Sequence, residues 1–452
     1  MTAMPAEPRN GALAPADWHE KLSRAVESHR TGALDDAESR YRDVLFERPR
    51  QPDALHLLGL IRFQRGDPDE ALALIEQAIA IAGDKPDYHF NRGKVLLAAG
   101  RLEAAIAAYR QARALDPKNA GILLNLGNAW RRRGDSDEAE DCYRRALALD
   151  DDYPLAHNNL ATLCRADGRL EEAVRHYRRA AELQPEAASV WENLAKALTD
   201  LGHRGEALEA YRRALEIEPG REGARHMVSA LAGETTEQAP RRYVRELFDG
   251  YAARFETHLV EDLDYRVPTL MRDLLERMPA PPGAGAGRLA AGLDLGCGTG
   301  LVGQALRDRV DRLEGVDLSA EMIDRAAAKA VYDKLAEADA VEWLARAEAG
   351  SWDLVLAADV LIYLGALDAL FREVRRCLAP GGRLLFSVES LDEPAPVTGY
   401  QLRPSGRYAH GRGYLEGLAE THGFEILAWD RIALRKDGEK RLTGWLIAYA
   451  RT

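Results

Sequence analysis

A period of 34 residues governs the first half of this chain. Gly32, Gly66, Gly100, Gly134, Gly168 and Gly202 fall 34 apart, and so do Ala37, Ala71, Ala105, Ala139, Ala173 and Ala207. Six copies in strict register exclude chance. Four residues after each alanine stands a large side chain (Tyr41, Ile75, Tyr109, Tyr143, Tyr177, Tyr211), and Pro49, Pro117, Pro185 and Pro219 close four of the units. Small and large residues four apart share one helix face, where the alanine admits a neighbouring helix and the aromatic fills the gap beside it. Pro52, Pro86 and Pro154 stand where a first helical residue is expected, a place at which a missing N–H costs little. Each unit therefore reads as a helix pair. Stacked pairs build a superhelix whose first helices line a concave groove, with Arg221 to Ala232 as the end helix.

Two ladders run through the array. Arg144 and Arg145, Arg178 and Arg179, and Arg212 and Arg213 follow the register tyrosines and read as a solvated face. The asparagines differ. Only eight occur in the chain, and Asn91, Asn125, Asn159 and Asn193 share one register in the middle of a first helix. Asparagine is a poor mid-helix residue. Two readings stand: amides that bind repeat to repeat, or a groove ladder whose donors and acceptors match the backbone of an extended peptide.

At 452 residues two or three domains are expected. With 61 basic against 73 acidic residues the formal net charge is −12, which gives no general pull toward nucleic acid. The first residues lack an apolar core of signal-peptide type, and no run of eighteen apolar residues occurs, so a cytoplasmic location is expected. Cys142, Cys164, Cys297 and Cys377 are scattered without CxxC spacing, and no histidine and carboxylate cluster has ligand spacing. Neither a metal site nor a disulfide framework is expected.

The second half is organised around Leu293 to Gly300, LDLGCGTG. An apolar approach through Leu289, Leu293 and Leu295 meets glycines at every second position, and Leu301 to Arg309 reads as a helix. That order is strand, glycine turn, helix. Glycines let the backbone turn sharply and approach a ligand, and the helix start presents unpaired N–H groups. The spacing is GxGxG, distinct from a GxGxxG dinucleotide fingerprint, with Asp294 two residues before the first glycine. The next strand, Arg312 to Leu318, carries Asp317 about twenty residues past the turn, where an acid can take both hydroxyls of a ribose. Strands and helices then alternate: 320–330, 335–340, 341–348, 352–360, 367–378 and 383–389. Alternation argues for a doubly wound parallel sheet, and 425–434 with 444–451 reads as a hairpin. Ligands of open α/β sheets bind at the carboxyl ends of the strands, which nominates Gly296, Asp317, Asp339, Asp359 and Glu389.

On DLGCGTG, GVDLSAEMIDRA, DLVLAADVLIYL and LAPGGRLLFSVE, the second half resembles the class I S-adenosylmethionine (SAM)-dependent methyltransferases. On its period and residue pattern, the first half resembles tetratricopeptide repeats, and the whole resembles the bacterial subfamily that fuses the two. The resemblance implies an N-terminal all-α tetratricopeptide-repeat superhelix and a C-terminal Rossmann-like doubly wound α/β domain with an antiparallel final hairpin. The expected divisions are a disordered start at 1–17, six repeats with a capping helix at 18–233, and the methyltransferase domain at 234–452, with Pro279 to Gly287 as a flexible connector.

The resemblance implies SAM as cofactor, with Asp294, Gly296, Gly298 and Gly300 at the methionine moiety, Asp317 at the ribose, and Asp339 or the nearby Glu337 at the adenine. Cys297, Leu318, Met322 and Ala340 accompany them. FDGYAARFETHL resembles the helix that closes over SAM, which places Tyr251 and Phe255 near the methionine end, plain packing being the alternative. Asp359 contacts the ligand or caps a helix. On the acceptor side a long loop after Glu389 carries Arg403, Arg407, Tyr408 and His410, near Tyr363. Arginine suits an anionic acceptor, and His410 or Glu389 is expected as a proton acceptor if one is needed; surface salt bridges are the alternative. The NPPY motif of base and glutamine methylation is absent. Three readings remain open: a protein or peptide methyltransferase whose groove recruits the substrate, a small-molecule methyltransferase with repeats for assembly or regulation, and a scaffold that binds SAM without catalysis.

Overall fold

The computed structural model describes residues 17–252, 255–257, 259–260, 263–279, 288–391, 396–437 and 440–452. The start expected to be disordered, nearly all of the connector expected at 279–287 and part of the loop after Glu389 lie outside these residues. Described contacts divide the chain into two compact units, residues 1–197 and 198–452.

Six helix pairs follow the 34-residue period: α1 (Asp17–Arg30) and α2 (Leu34–Glu47), α3 (Pro52–Gln64) and α4 (Pro68–Ile81), α5 (Pro86–Ala98) and α6 (Leu102–Leu115), α7 (Ala120–Arg133) and α8 (Ser136–Leu149), α9 (Pro154–Ala166) and α10 (Leu170–Leu183), and α11 (Ala188–Asp200) and α12 (Arg204–Ile217). The capping helix is α13 (Glu222–Ala232). The periodic glycines sit between the helices of each pair at φ +73° to +97°, where a Cβ would be strained. In the first unit the register alanines and tyrosines are fully or almost fully buried. A second small position explains why: a Cβ on Gly93 or Gly127 would come within 2.6 Å of the Tyr109 or Tyr143 ring. Tyr109 and Tyr143 therefore pack against the first-helix glycines of their own pairs. The arginine ladder is solvated and paired with acids, as in Arg144 with Glu140 and Glu172.

The asparagine amides have partners inside the array. Asn91 Nδ2 lies 3.0 Å from His56 Nε2, Asn125 donates to Gly121 O of its own helix, Asn159 donates to Asn128, and Asn193 donates to Asn158. Asn158 in turn donates to Asn159, and Tyr143 donates to Asn128. Three of the four amide donors join one repeat to the next.

In the second unit α12 and α13 are followed by α14 (Arg241–Tyr251), a short turn of helix α15 (Phe255–Thr257) and α16 (Val267–Arg277). The sheet then forms from β1 (Leu289–Leu295), β2 (Val310–Asp317), β3 (Lys334–Glu337), β4 (Trp352–Ala357) and β5 (Leu378–Ser390), in the parallel order β3-β2-β1-β4-β5. Between them run α17 (Leu301–Leu306), α18 (Ala320–Ala328), α19 (Ala340–Arg346) and α20 (Asp368–Cys377). Beyond β5 the order is completed antiparallel by β9 (Lys440–Arg451) and its hairpin partner β8 (Phe424–Asp437), after α21 (Arg412–His422). Two apolar layers hold the sheet, one centred on Phe371, Phe386 and Tyr449, the other on Met271, Leu306 and Leu385.

One expectation is corrected. The stretch after Glu389 is not a loop throughout: β6 (Tyr400–Leu402) and β7 (Tyr408–His410) form a small hairpin, and β7 pairs in parallel with Glu389 and Ser390. The turn at Gly406 and the short segments YQL and YAH suffice to make it. β3 also ends before Ala340, because the Asp339 side chain accepts from Val341 N and Glu342 N and starts α19 there.

Candidate active site

The glycine turn lies at the carboxyl end of β1. Gly296, Gly298 and Gly300 all have positive φ (+64°, +53° and +89°), and Gly300 caps α17. A Cβ on Gly296 would come 2.5 Å from Val360, so that position admits only glycine. A Cβ on Gly298 would meet nothing nearer than the Phe255 ring at 3.7 Å. Cys297 is buried, and burial pushes its thiol well above the usual range, which makes it a small neutral filler and no nucleophile.

Asp294 is completely enclosed. Tyr332 donates to its Oδ2 at 2.7 Å, while Oδ1 has no partner among the described protein atoms. Burial pushes this carboxyl up to about 7; the Tyr332 hydrogen bond pulls against that and the nearby Asp317 adds to it. Asp317 ends β2 and accepts from Gly298 N and Ser319 N, both at 2.9 Å, which fixes its carboxylate over the glycine turn. Burial raises this group too. An enclosed carboxyl with an unpartnered oxygen, three left-handed glycines and a fixed second acid fit a ligand that brings an ammonium group and vicinal hydroxyls, as SAM does.

Beside them runs α14. Arg245 Nε donates to Leu318 O, and Ser319 Oγ donates to Asp249 while capping α18 through Met322 N. Met322 itself is buried. The half-buried Tyr251 ring packs edge-on to Phe255, Phe255 to Phe248, and Phe248 to Tyr363. Asp339 is half-buried, caps α19 and pairs with Arg241 at 3.1 Å; Ala340 is the first residue of that helix.

The acid behaviour of Asp294 has a measurable consequence. Its pKa is raised from an ordinary 3.8 to about 7 on folding, so the folded state holds a proton that the unfolded chain releases. The associated stability is fully present below pH 4 and is lost as pH rises through about 7, a change on the order of a few kcal/mol. Cofactor-free protein should therefore melt at a lower temperature at pH 8 than at pH 5. Asp294→Asn should flatten that dependence, leaving the smaller contribution of Asp317; an unchanged slope in the variant would refute the assignment.

Beside this cradle, at the ends of β4 and β5, lies a charged cluster. Asp359 has φ +55°, and its carboxylate accepts from Ser387 Oγ at 3.0 Å and from Arg435 at 2.6 Å. Glu389, 1% exposed, accepts from Arg435 at 2.6 Å and from Arg403 at 3.3 Å, and Arg407 lies 3.5 Å away. Burial disfavours the Arg435 charge, but Asp359 and Glu389 more than offset it and hold the guanidinium protonated. Tyr265 and Tyr363 border the cluster, both raised chiefly by burial. Asp359, Glu389, Tyr363, Arg403 and Arg407 are thus brought together. Sequence reading missed Arg435, Tyr332 and Tyr265.

His410 and Tyr408 stand elsewhere than expected. His410 is enclosed in β7 with Nε2 3.1 Å from Gly365 O and its ring stacked on Tyr414; burial pushes it down to about 4. Tyr408 is fully buried with its hydroxyl 2.5 Å from Thr236 Oγ1. Both are corrected to framework positions, because pairing of β7 with β5 turns their side chains into packed surroundings. Glu389 stands among three guanidinium groups as their ion-pair partner. No group of three or more metal-ligating side chains occurs among the described residues, and no helix there is long and apolar enough to cross a membrane.

Comparison with known proteins finds matches in both halves of the chain. Residues 293–386 match the model of a methyltransferase domain. Residues 50–118, 90–154 and 152–218 match tetratricopeptide-repeat models. Among curated relatives, the ubiquinone biosynthesis O-methyltransferase of Idiomarina loihiensis is 31% identical over 98 residues, covering 21% of this chain and 40% of that protein. The malonyl-[acyl-carrier protein] O-methyltransferase of Enterobacter lignolyticus is 33% identical over 119 residues, covering 26% and 44%. The trans-aconitate 2-methyltransferase of an Acidovorax species is 34% identical over 106 residues, covering 23% and 40%. The chain spans less than half the length of each of these relatives.

Proposed function

We propose that this chain, which joins a methyltransferase domain to tetratricopeptide repeats, is a class I SAM-dependent methyltransferase that methylates an anionic oxygen, a carboxylate, on a protein or peptide acceptor recruited by the repeats. The observation that carries this reading is the charged cluster beside the glycine turn. Three guanidinium groups (Arg403, Arg407, Arg435) face two carboxylates (Asp359, Glu389), so one positive charge is left for an incoming anion. Arg403 and Arg407 keep about a third of their side chains exposed, whereas Arg435 is enclosed. The first two are the acceptor's contacts. Arg435 holds Glu389, which pairs with both of them. Two of the matched relatives carry names of carboxylate-bearing acceptors, which agrees with the charge.

Bound SAM would supply a methyl group on a sulfonium, taken in line by the acceptor oxygen as the neutral thioether leaves. A carboxylate arrives already deprotonated, so no base is required, in keeping with a site whose acids are ion-paired and whose histidine is enclosed. The chain's task is alignment and exclusion of water: an arginine N–H holds one acceptor oxygen, and Phe248, Tyr251 and Phe255 cover the glycine turn. For the repeats, peptide recruitment rests on the groove that such arrays present. The asparagine donors support it less than expected, since they are committed within the array.

The test is transfer of radiolabel from SAM in a lysate of the source cell, resolved into protein and small-molecule fractions. Label should enter protein and leave it in mild alkali, as methyl esters do, and Arg407→Gln should lower kcat/KM at least tenfold, about 1.4 kcal/mol. Label confined to small molecules would replace this reading with the small-molecule one.

A further inference from the structure

The turn that carries Arg403 and Arg407 is not held by the sheet alone. It is closed by hydrogen bonds from Arg403 N to Arg407 O and from Gly406 N to Arg403 O, both at 2.8 Å. Behind it stands α13, the capping helix of the repeats. His226 on α13 is buried, and its Nε2–H donates to Gly406 O at 2.9 Å. Gly406 has φ +77°, and a Cβ there would lie 2.8 Å from Met227 Sδ and 3.1 Å from the Tyr243 hydroxyl, so helix and turn are in direct contact. Met227 and Tyr243 are themselves joined, and the Tyr243 ring packs on His226.

The segment after α13 continues the brace. Leu402 N donates to Thr235 Oγ1, Thr236 meets the Tyr408 hydroxyl, and Gly365 N and Ala366 N donate to Glu237 O at 2.8 Å. Ala239 N donates to Tyr363 O at 2.9 Å. Residues 226–239 thus fasten both strands of the β6–β7 hairpin and the turn bearing Tyr363. The turn between the two strands carries Arg403 and Arg407, and the other fastened turn carries Tyr363. The brace originates in the helix that ends the repeat array.

From this we infer that His226 is a positioning residue for methyl transfer: through Gly406 it sets the turn from which Arg403 and Arg407 reach Glu389, so that the capping helix of the repeats forms part of the acceptor site. The inference rests on the acceptor reading given above and adds what fixes its geometry. Without the Nε2–H the Gly406 carbonyl loses its partner, the turn loosens, and the two arginines no longer present one anion-binding arrangement. SAM binding at Asp294 and Asp317 is untouched, since neither contacts this turn.

The experiment uses the full chain with His226→Leu, which removes the donor, and His226→Gln, which retains an N–H at the end of a flexible side chain. Amide hydrogen exchange of 399–411 should rise at least fivefold in the leucine variant and stay within twofold of the parent in the glutamine variant. With the protein fraction of the source-cell lysate as acceptor and radiolabelled SAM as donor, half-saturation by acceptor should rise about tenfold in His226→Leu with maximal rate changed less than twofold. His226→Gln should restore it. SAM affinity, measured by calorimetry, should be the same in all three proteins and shows that the variants are folded. Parent-like exchange and half-saturation in His226→Leu would overturn the inference, as would equal defects in the two variants. If the parent protein labels nothing, the acceptor reading fails, and the exchange comparison alone still decides whether His226 holds the turn.

Discussion

Replacing Arg435 with methionine should lower the stability of the second unit by about 3–5 kcal/mol, the cost of removing one partner from a buried ion pair. Arg435 is 7% exposed, and each of its two contacts, to Asp359 and Glu389, is 2.6 Å long. Methionine fills similar space but leaves the two acids facing each other, with only Arg403 and Arg407 near Glu389. Because the destabilisation comes from uncompensated charge, it should be recovered when the charge is removed: the triple variant Arg435→Met, Asp359→Asn, Glu389→Gln should regain most of it. Scanning calorimetry of the full chain should show the second unit's transition about 10 °C lower in the single variant and restored in the triple one. A single variant melting within 2 °C of the parent would mean that the cluster is solvated and that its charge count says little about the acceptor.

The second large effect is expected at Gly296. A side chain there must adopt φ +64° and overlap Val360, whose nearest carbon would lie 2.5 Å from the new Cβ. Left-handed backbone alone costs about 1–2 kcal/mol, and the overlap forces the turn to shift away from β4. Gly296→Ala should therefore weaken SAM binding at least 100-fold, about 2.7 kcal/mol. Gly350 offers the control. It has φ +71° with nothing within 4 Å of a Cβ, so Gly350→Ala carries the same backbone strain without displacing the cradle, and SAM should bind it as it binds the parent. Equal losses in the two variants would show that general destabilisation, and not the shape of the turn, is being measured.

Much of this architecture was legible because it is written in local or periodic terms. The 34-residue register of Gly32, Ala37 and Tyr41 encodes a turn, a helix contact and a filler in fixed order, and the structure places each where the period requires. LDLGCGTG was legible for a similar reason: strand, turn and helix start are consecutive, and Asp317 follows within one helix and one strand.

What escaped depends on contacts between residues remote in sequence. Arg435 belongs to the last hairpin and meets Glu389 across 46 residues; in RIALRKDGEK it is one cation among several. Tyr332 reaches Asp294 from 38 residues away, and nothing in AVYD marks it. The displacement of His410 and Tyr408 from a loop into β7 has the same origin, since three-residue strands carry too little alternation to announce themselves. Asp339 did carry a usable sign. It is followed three residues later by Glu342, the spacing of a capping box, and the structure uses it to begin α19. The asparagine register was visible, but its partners were not: Asn128 and Asn158, off the register, complete the network.

Calorimetric titration of the full chain with SAM tests most directly whether the glycine turn and Asp317 are a SAM site. Binding at micromolar or tighter affinity is expected. Asp317→Ala should weaken it by about 1–3 kcal/mol, roughly 5- to 150-fold, through loss of hydrogen bonds to ribose hydroxyls. Tight binding of NAD with no heat from SAM, or a SAM affinity indifferent to Asp317→Ala, would contradict the account.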